Sequence, residues 1–177
     1  GEKAFCAGAD LTEFLSAPPP AFARKARFER DLWGRFVSIQ KPFIAALHGY
    51  VLGSGIEMSL CCDIRLCSED AQFGLPEVAL GLIPAAGGTQ TLPRVVGRSH
   101  ALDLLLTGRR LKADEARRIK LVDRVLPRQD LLIEAGRLAA RLASYDPLAV
   151  SRAKQDVNRG LDLSLPEGLS VERRLGL

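Results

Sequence analysis

Apolar residues fall in short runs in the first half of the chain and at helical spacing in the second. Lys3–Cys6 is apolar and strand-like and ends in the small-residue turn Ala7-Gly8-Ala9-Asp10. Pro18-Pro19-Pro20 interrupts the chain, and the polar and aromatic stretch from about Ala21 to Val37 predicts a long helix that Lys41-Pro42 ends. Phe43-Ile44-Ala45-Ala46-Leu47 reads as a buried strand. A glycine cluster follows at Gly49, Gly53 and Gly55, and Ile56–Cys62 predicts a short apolar helix. Asp63–Ser68 alternates polar and apolar residues as a half-buried strand does, and Ala71–Gly74 is a second short strand.

After Glu77 the pattern becomes loop-like through Gly81, Pro84, Gly87 and Gly88, and from Thr89 onward helices dominate. Asp114 is placed to cap a helix over Glu115–Lys120. Leu131, Ala135, Leu138, Ala139 and Leu142 recur at helical spacing and predict one buried face. Pro147 sits where a helix starts and leads through Val150, Ala153, Lys154 and Val157. A strand-rich front and a helical back predict a single α/β domain over residues 1–177, with no internal repeat or linker.

Composition narrows the classes. With 177 residues and 47% of them hydrophobic, the chain can bury a real core. No apolar run approaches the ~20 residues of a transmembrane helix. The net charge of +4 comes with arginine pairs at Arg109-Arg110, Arg117-Arg118 and Arg173-Arg174. Such a surface is either simply solvated or attracts a polyanionic small molecule. Nucleic acid is disfavoured, because no aromatic residue interleaves with a basic stretch. Cys6, Cys61, Cys62 and Cys67 form no C-x-x-C pair, which argues against a zinc site or a disulfide framework and for reduced, buried thiols.

Two features carry candidate chemistry. Gly53-Ser54-Gly55 lies between a strand-like run and a helix, where backbone amides lack intrahelical partners and point outward. Ala7-Gly8-Ala9-Asp10 can supply a second such amide, and two converging donors make an oxyanion hole. Glu57 and Glu77 each sit among apolar residues, where a carboxyl pKa rises and two groups can divide acid and base roles. The residues alone leave open that Glu57 merely caps a helix and Glu77 lies exposed on a turn. Ser54 lacks the spacing of a hydrolase nucleophile elbow, and Gly87-Gly88-Thr89 lacks the lysine of a phosphate loop. Nothing in the sequence joins His48 or His100 to a serine.

Five segments in order resemble the enoyl-CoA hydratase/isomerase (crotonase) family. They are Lys3–Leu11, Ile44–Glu57 continuing to Cys62-Asp63-Ile64-Arg65, Ala71–Val78, Leu82–Gln90 and Leu106–Arg109. The resemblance implies a crotonase-type spiral of ββα repeats. It implies an oxyanion hole from the amides of Ala9 and Ser54, with Glu57 and Glu77 as the acid/base pair. Ala7, Ala9, Asp10 and Leu11 would line the adenine and pantetheine side of the coenzyme A site. The implied reaction is hydration of a 2-trans-enoyl-CoA to a 3-hydroxyacyl-CoA. The alternatives are double-bond isomerisation, another acyl-CoA reaction on the same fold, and an inactive or RNA-binding relative.

No metal or redox cofactor is implied, and coenzyme A arrives as part of the substrate. Partners would be further copies of the chain, as a trimer or a pair of trimers. The compartment would be the cytoplasm in a bacterium and the mitochondrial matrix in a eukaryote. The chain would correspond to the middle of the fold, short of N-terminal strands and C-terminal helices, and Leu161, Leu163, Leu165 and Leu169 would lie uncovered. Three departures stand out: Ser54 and Ala85 where the family often has glycine, and Thr12 where many members have lysine near the coenzyme A phosphates.

Overall fold

The computed structural model describes residues 1–12 and 32–176. The first strand, β1, is Ala4–Cys6. Helix α1 is Leu32–Ser38, the C-terminal part of the helix predicted from Ala21. The start of that helix and the proline break lie outside the described residues. Next come β2 (Ile44–Leu47), β3 (Tyr50–Leu52) and α2 (Ser54–Leu60). Then follow β4 (Ile64–Ser68), β5 (Gln72–Gly74) and a 3₁₀ turn at Pro76–Leu80.

The remainder is mainly helical, as its spacing predicts: α3 (Gly88–Val96), α4 (Arg98–Thr107), α5 (Ala113–Arg118), α6 (Leu131–Ala143), α7 (Pro147–Gly160) and α8 (Leu165–Leu175). Two short strands interrupt it, β6 (Arg110–Lys112) and β7 (Arg124–Leu126). Neither is legible from periodicity. In β6 a single residue, Leu111, faces the core between two exposed neighbours.

The strands form two sheets, ordered β1-β3-β5-β6 and β2-β4-β7. Successive strands alternate between them: β2 enters one and β3 the other, and after α2 the chain repeats the step with β4 and β5. This is the spiral of ββα turns. The repeats place β3 parallel to β5, with Val51 opposite Phe73, and β2 parallel to β4, with Leu47 opposite Cys67. A helical crossover between parallel strands is what makes that pairing possible. Leu47, Val51, Ile56, Phe73, Leu92, Leu104 and Val122 belong to one continuous core between the sheets and helices.

Three local expectations are corrected. β4 is not half-buried: Arg65 through Ser68 are all buried, because β4 is the middle strand of a parallel sheet covered on both faces. Its polar members are satisfied internally, with Arg65 Nε donating to the Leu121 carbonyl at 2.8 Å and Nη1 to that of Cys62 at 2.7 Å. Asp114 does not cap α5. Lys112 takes that position, and Asp114 sits in the first turn, where its charge still suits the helix N-terminus. Finally, only Leu131 of the apolar face of α6 is fully buried. Here α6 packs on β2 and β4 while α7 pairs with α8, so the rest of the face opens on a groove of about 1320 Å³. Among the described residues, no helix is long and apolar enough to cross a membrane.

Candidate active site

The site forms where the ends of β1, β3 and β5 meet. The glycine turn after β3 is tied to the end of β5 by Gly53 N–H, which donates to the Gly74 carbonyl at 2.9 Å. Gly53 has φ 51° and ψ −120°, and a Cβ there would stand 2.9 Å from Glu77 Oε1 and 3.7 Å from the Gly8 Cα. The backbone angle requires glycine at this position, and a Cβ would also push the Glu77 carboxylate aside. Gly55 allows α2 to lie directly against β1, since a Cβ would meet the Cys6 carbonyl oxygen at 2.5 Å. These contacts bring the Ala7–Ala9 turn and the Gly53–Gly55 turn face to face.

A cavity of about 340 Å³ opens between them. Ala7, Ala9, Leu11, Ser54, Glu57 and Glu77 all line it, together with the Leu80–Ala86 side of the following loop. Asp10 does not reach the cavity. Its carboxylate accepts from the Thr12 amide at 2.9 Å and from the Thr12 hydroxyl at 2.7 Å, closing a turn at the surface. Among the described residues, the amides of Ala9 and Ser54 have no protein acceptor. Ser54 is the first residue of α2, so its N–H is one of the helix's orphan donors.

The two glutamates have different environments. Glu57 is buried on α2, 3% exposed, and its Oε1 accepts from the amides of Ala86 at 2.8 Å and Gly88 at 2.9 Å. Oε2 has no hydrogen-bond partner among the described residues. A Cβ on Gly88 would stand 2.9 Å from Glu57 Oε1 and 2.8 Å from the Pro84 side chain, so glycine is what lets this amide approach. Glu77 lies in the 3₁₀ turn, and its Oε2 is buried without a hydrogen-bond partner. Burial pushes its carboxyl pKa up; its own backbone amide opposes this, and the charge of Glu57 reinforces it. One carboxylate is thus clamped and the other is biased toward its protonated form.

The clamp on Glu57 escaped the sequence reading. Ala86 and Gly88 fall in a stretch that reads only as loop, and a backbone donor leaves no side-chain signature. The glycine pair Gly87-Gly88 was the available signal. No Lys, Arg or His is among the described residues that line this cavity. Arg109 is committed elsewhere, with its Nε 2.8 Å from Asp103 Oδ2 and its Nη2 2.7 Å from Glu115 Oε1, and these hydrogen bonds raise its pKa. Among the described residues, no cluster of His, Cys, Asp or Glu is arranged to hold a metal. All four cysteines are free.

The family model for enoyl-CoA hydratase/isomerase matches residues 1–176. The chain belongs to the enoyl-CoA hydratase/isomerase family. It is 45% identical to a probable mitochondrial enoyl-CoA hydratase of Dictyostelium discoideum, with 98% of this chain and 62% of that protein covered. It is 43% identical to the 2,3-dehydroadipyl-CoA hydratase of Escherichia coli, over 97% of this chain and 66% of that one. Among solved structures, the enoyl-CoA hydratase of Bacillus anthracis superposes with a TM-score of 0.92 at 42% identity, covering 99% of this chain and 68% of that one. The chain thus spans about two thirds of the length of these family members, and its spiral is the fold they share.

Proposed function

We propose that this chain carries the catalytic centre of an enoyl-CoA hydratase, which adds water across the 2,3 double bond of a 2-trans-enoyl-CoA to give a 3-hydroxyacyl-CoA. The observation that carries the reading is the unequal pair of carboxyls on one cavity: Glu57, clamped through Oε1, and Glu77, buried with an unpaired Oε2. An isomerase moves one proton between two carbons and needs one such group, so two favour hydration. The hydratase names among the relatives support the same choice.

In the proposed reaction the thioester oxygen lies between the amides of Ala9 and Ser54. Their N–H groups draw electron density from the double bond and leave the β-carbon electrophilic. The water oxygen bonds to that carbon while Glu57 Oε2 takes its proton. The π electrons pass to the α-carbon and thioester oxygen, as an enolate held by the two amides. Protonated Glu77 gives its proton to the α-carbon, and the double bond is gone. Glu57 ends protonated and Glu77 ionised, so one proton must return before the next turnover. Because the two carboxyls interact, the pair titrates as a unit. Coenzyme A enters as part of the substrate, and no metal or redox group takes part.

The whole protein would assemble as a trimer or a pair of trimers, which light scattering would read directly. The test of the chemistry is loss of the conjugated enoyl absorbance with crotonyl-CoA. Glu57→Gln and Glu77→Gln in the whole protein are each expected to lower kcat by about 10²–10⁴, the usual share of an acid–base group, with little change in substrate binding. Turnover at the wild-type rate in either variant overturns that residue's role.

A further inference from the structure

None of the residues of the segment Leu106-Thr107-Gly108-Arg109 lines the cavity of the two glutamates. The segment closes α4. Gly108 is the C-cap, left-handed at φ 61°, and its amide donates to the Leu104 carbonyl at 3.1 Å. The Thr107 hydroxyl donates to the Asp103 carbonyl at 2.6 Å and accepts from the Arg109 amide at 3.2 Å. The Arg109 side chain then ties two helices together. Its Nε donates to Asp103 Oδ2 on α4 at 2.8 Å, while Nη1 and Nη2 donate to Glu115 Oε2 and Oε1 on α5 at 3.2 Å and 2.7 Å. A fork of this kind fixes geometry as well as charge.

The backbone so fixed lies behind the turn that carries Glu77. Gly108 approaches that turn so closely that a Cβ on it would stand 3.4 Å from the Pro76 Cα and 3.7 Å from Val78 Cγ2. Beyond Arg109, β6 runs antiparallel to β5 with Arg110 opposite Gly74. A Cβ on Gly74 would stand 3.6 Å from the Arg109 carbonyl oxygen. The strand end leading to Glu77 and the turn itself therefore both rest on residues 108–110. Glu57 is held separately, by the amides of Ala86 and Gly88.

We infer that Arg109 is a positioning residue for Glu77: by tying α4 to α5 it fixes the backbone of residues 108–110, against which the Glu77 turn is packed. This rests on the acid–base reading of Glu77 above and adds the group that holds it in place. A proton donor must stand within reach of the reacting carbon, and a displacement of about 1 Å costs on the order of a hundredfold in rate. The turn also decides how dry the carboxyl is. Burial is the larger influence on it, and among the described residues the charge acting on it is that of Glu57. A looser turn admits water and lets Glu77 ionise at lower pH. Lysine at position 109 keeps the charge but cannot span both carboxylates with a planar fork.

The test compares the whole protein as wild type, Arg109→Lys and Glu115→Gln. Lys154→Gln is the control, losing the 2.8 Å ion pair to Asp63 in another part of the fold. In Arg109→Lys, kcat with crotonyl-CoA should fall about tenfold or more while KM stays within about twofold. The alkaline fall of kcat should move to lower pH by about half a unit or more. Glu115→Gln should shift both in the same direction, and it carries the measurement if Arg109→Lys does not fold. Lys154→Gln should lower Tm and move neither. A lower Tm in Arg109→Lys with the alkaline limb unmoved means a role in stability alone and overturns the inference, as does an equal shift in Lys154→Gln. A second arm needs no turnover: the gain in Tm from Glu77→Gln at high pH is measured with Arg109 and with Lys at that position. It should shrink in the Arg109→Lys background, and an unchanged gain overturns the inference. If crotonyl-CoA is not hydrated but the gain shrinks, the hydratase reading fails and the positioning role stands. If the wild type shows neither hydration nor gain, both fail.

Discussion

The Gly88 amide donates to Glu57 Oε1 at 2.9 Å, and a Cβ on Gly88 would stand 2.9 Å from that same oxygen. One absent methyl group therefore separates a clamped carboxylate from a displaced one. Gly88→Ala should push Glu57 off its clamp and cost the hydrogen bond, worth about 1.5–3 kcal/mol for a charged acceptor. We expect kcat to fall by about tenfold to a hundredfold, on the arithmetic of 1.4 kcal/mol per decade. The Pro84 contact at 2.8 Å adds an overpacking cost of about 1–3 kcal/mol, visible as a lower Tm. Steady-state kinetics alongside thermal melts check it. Unchanged kcat in a folded variant means the clamp is dispensable.

Glu77 sets a pH dependence of known sign. Burial raises its pKa in the folded state above its unfolded value, so the folded chain holds this proton more tightly. Below the unfolded pKa both states are protonated and there is no penalty. As pH rises through the folded pKa the penalty for ionising a buried carboxyl develops in full. Glu77→Gln should therefore match the wild type in Tm at low pH and gain on it as pH rises. The same titration should impose an alkaline fall in kcat, since the proposed donor is the protonated form, and the variant should lack that limb. A Tm difference that shrinks with rising pH contradicts this account.

Ser54 stands at the first position of α2 and lines the cavity, and among the described residues its amide has no protein acceptor. If the working donor is that amide, the side chain is replaceable. Ser54→Ala and Ser54→Gly should both keep kcat within about tenfold, far from the ~10²–10³ lost with an oxyanion donor. A hundredfold loss in Ser54→Ala would assign the donor role to the hydroxyl instead.

Arg65 is a structural test without catalytic content. It is buried, with its guanidinium bonded to the carbonyls of Leu121 and Cys62, and its own amide donates to Asp123 Oδ2 at 2.7 Å. Truncation to alanine orphans two buried carbonyls and empties the space. A loss of about 3–5 kcal/mol is expected in denaturant unfolding, enough to threaten a fold of ordinary stability. The folded fraction should retain its KM. A change of under about 1 kcal/mol would mean water replaces the guanidinium at both carbonyls.

The hairpin of α7 and α8 carries Leu161 and Leu165, each 76% exposed, with Leu163 and Leu169 beside them. The apolar groove along α6 is lined also by Pro147 and Val150 at the start of α7. Apolar surface on this scale favours association at about 25 cal/mol per Å² covered. The 177-residue chain alone is expected to self-associate at micromolar concentration and to show little hydratase activity. Light scattering decides it, and a monodisperse 19.2 kDa species with full activity would count against it.

The linear order of residues determined the elements that carry the site. The apolar runs at Phe43–Leu47 and Ile56–Cys62, with glycines between them, suffice for strand, turn and helix, because these patterns act over a few neighbours. They also place Glu57 one turn into α2. The two-sheet spiral came from family resemblance rather than periodicity, and strands as short as β6 and β7 left no readable pattern. Tertiary structure alone decided what each side chain meets. It removed Asp10 from the cavity and covered both faces of β4. It also left the α6 face open and brought the amides of Ala86 and Gly88 onto a carboxylate about thirty positions away. Pattern reports which face of an element is apolar. What covers that face, and which backbone group reaches a given oxygen, depend on where distant segments cross, and spacing along the chain does not encode that.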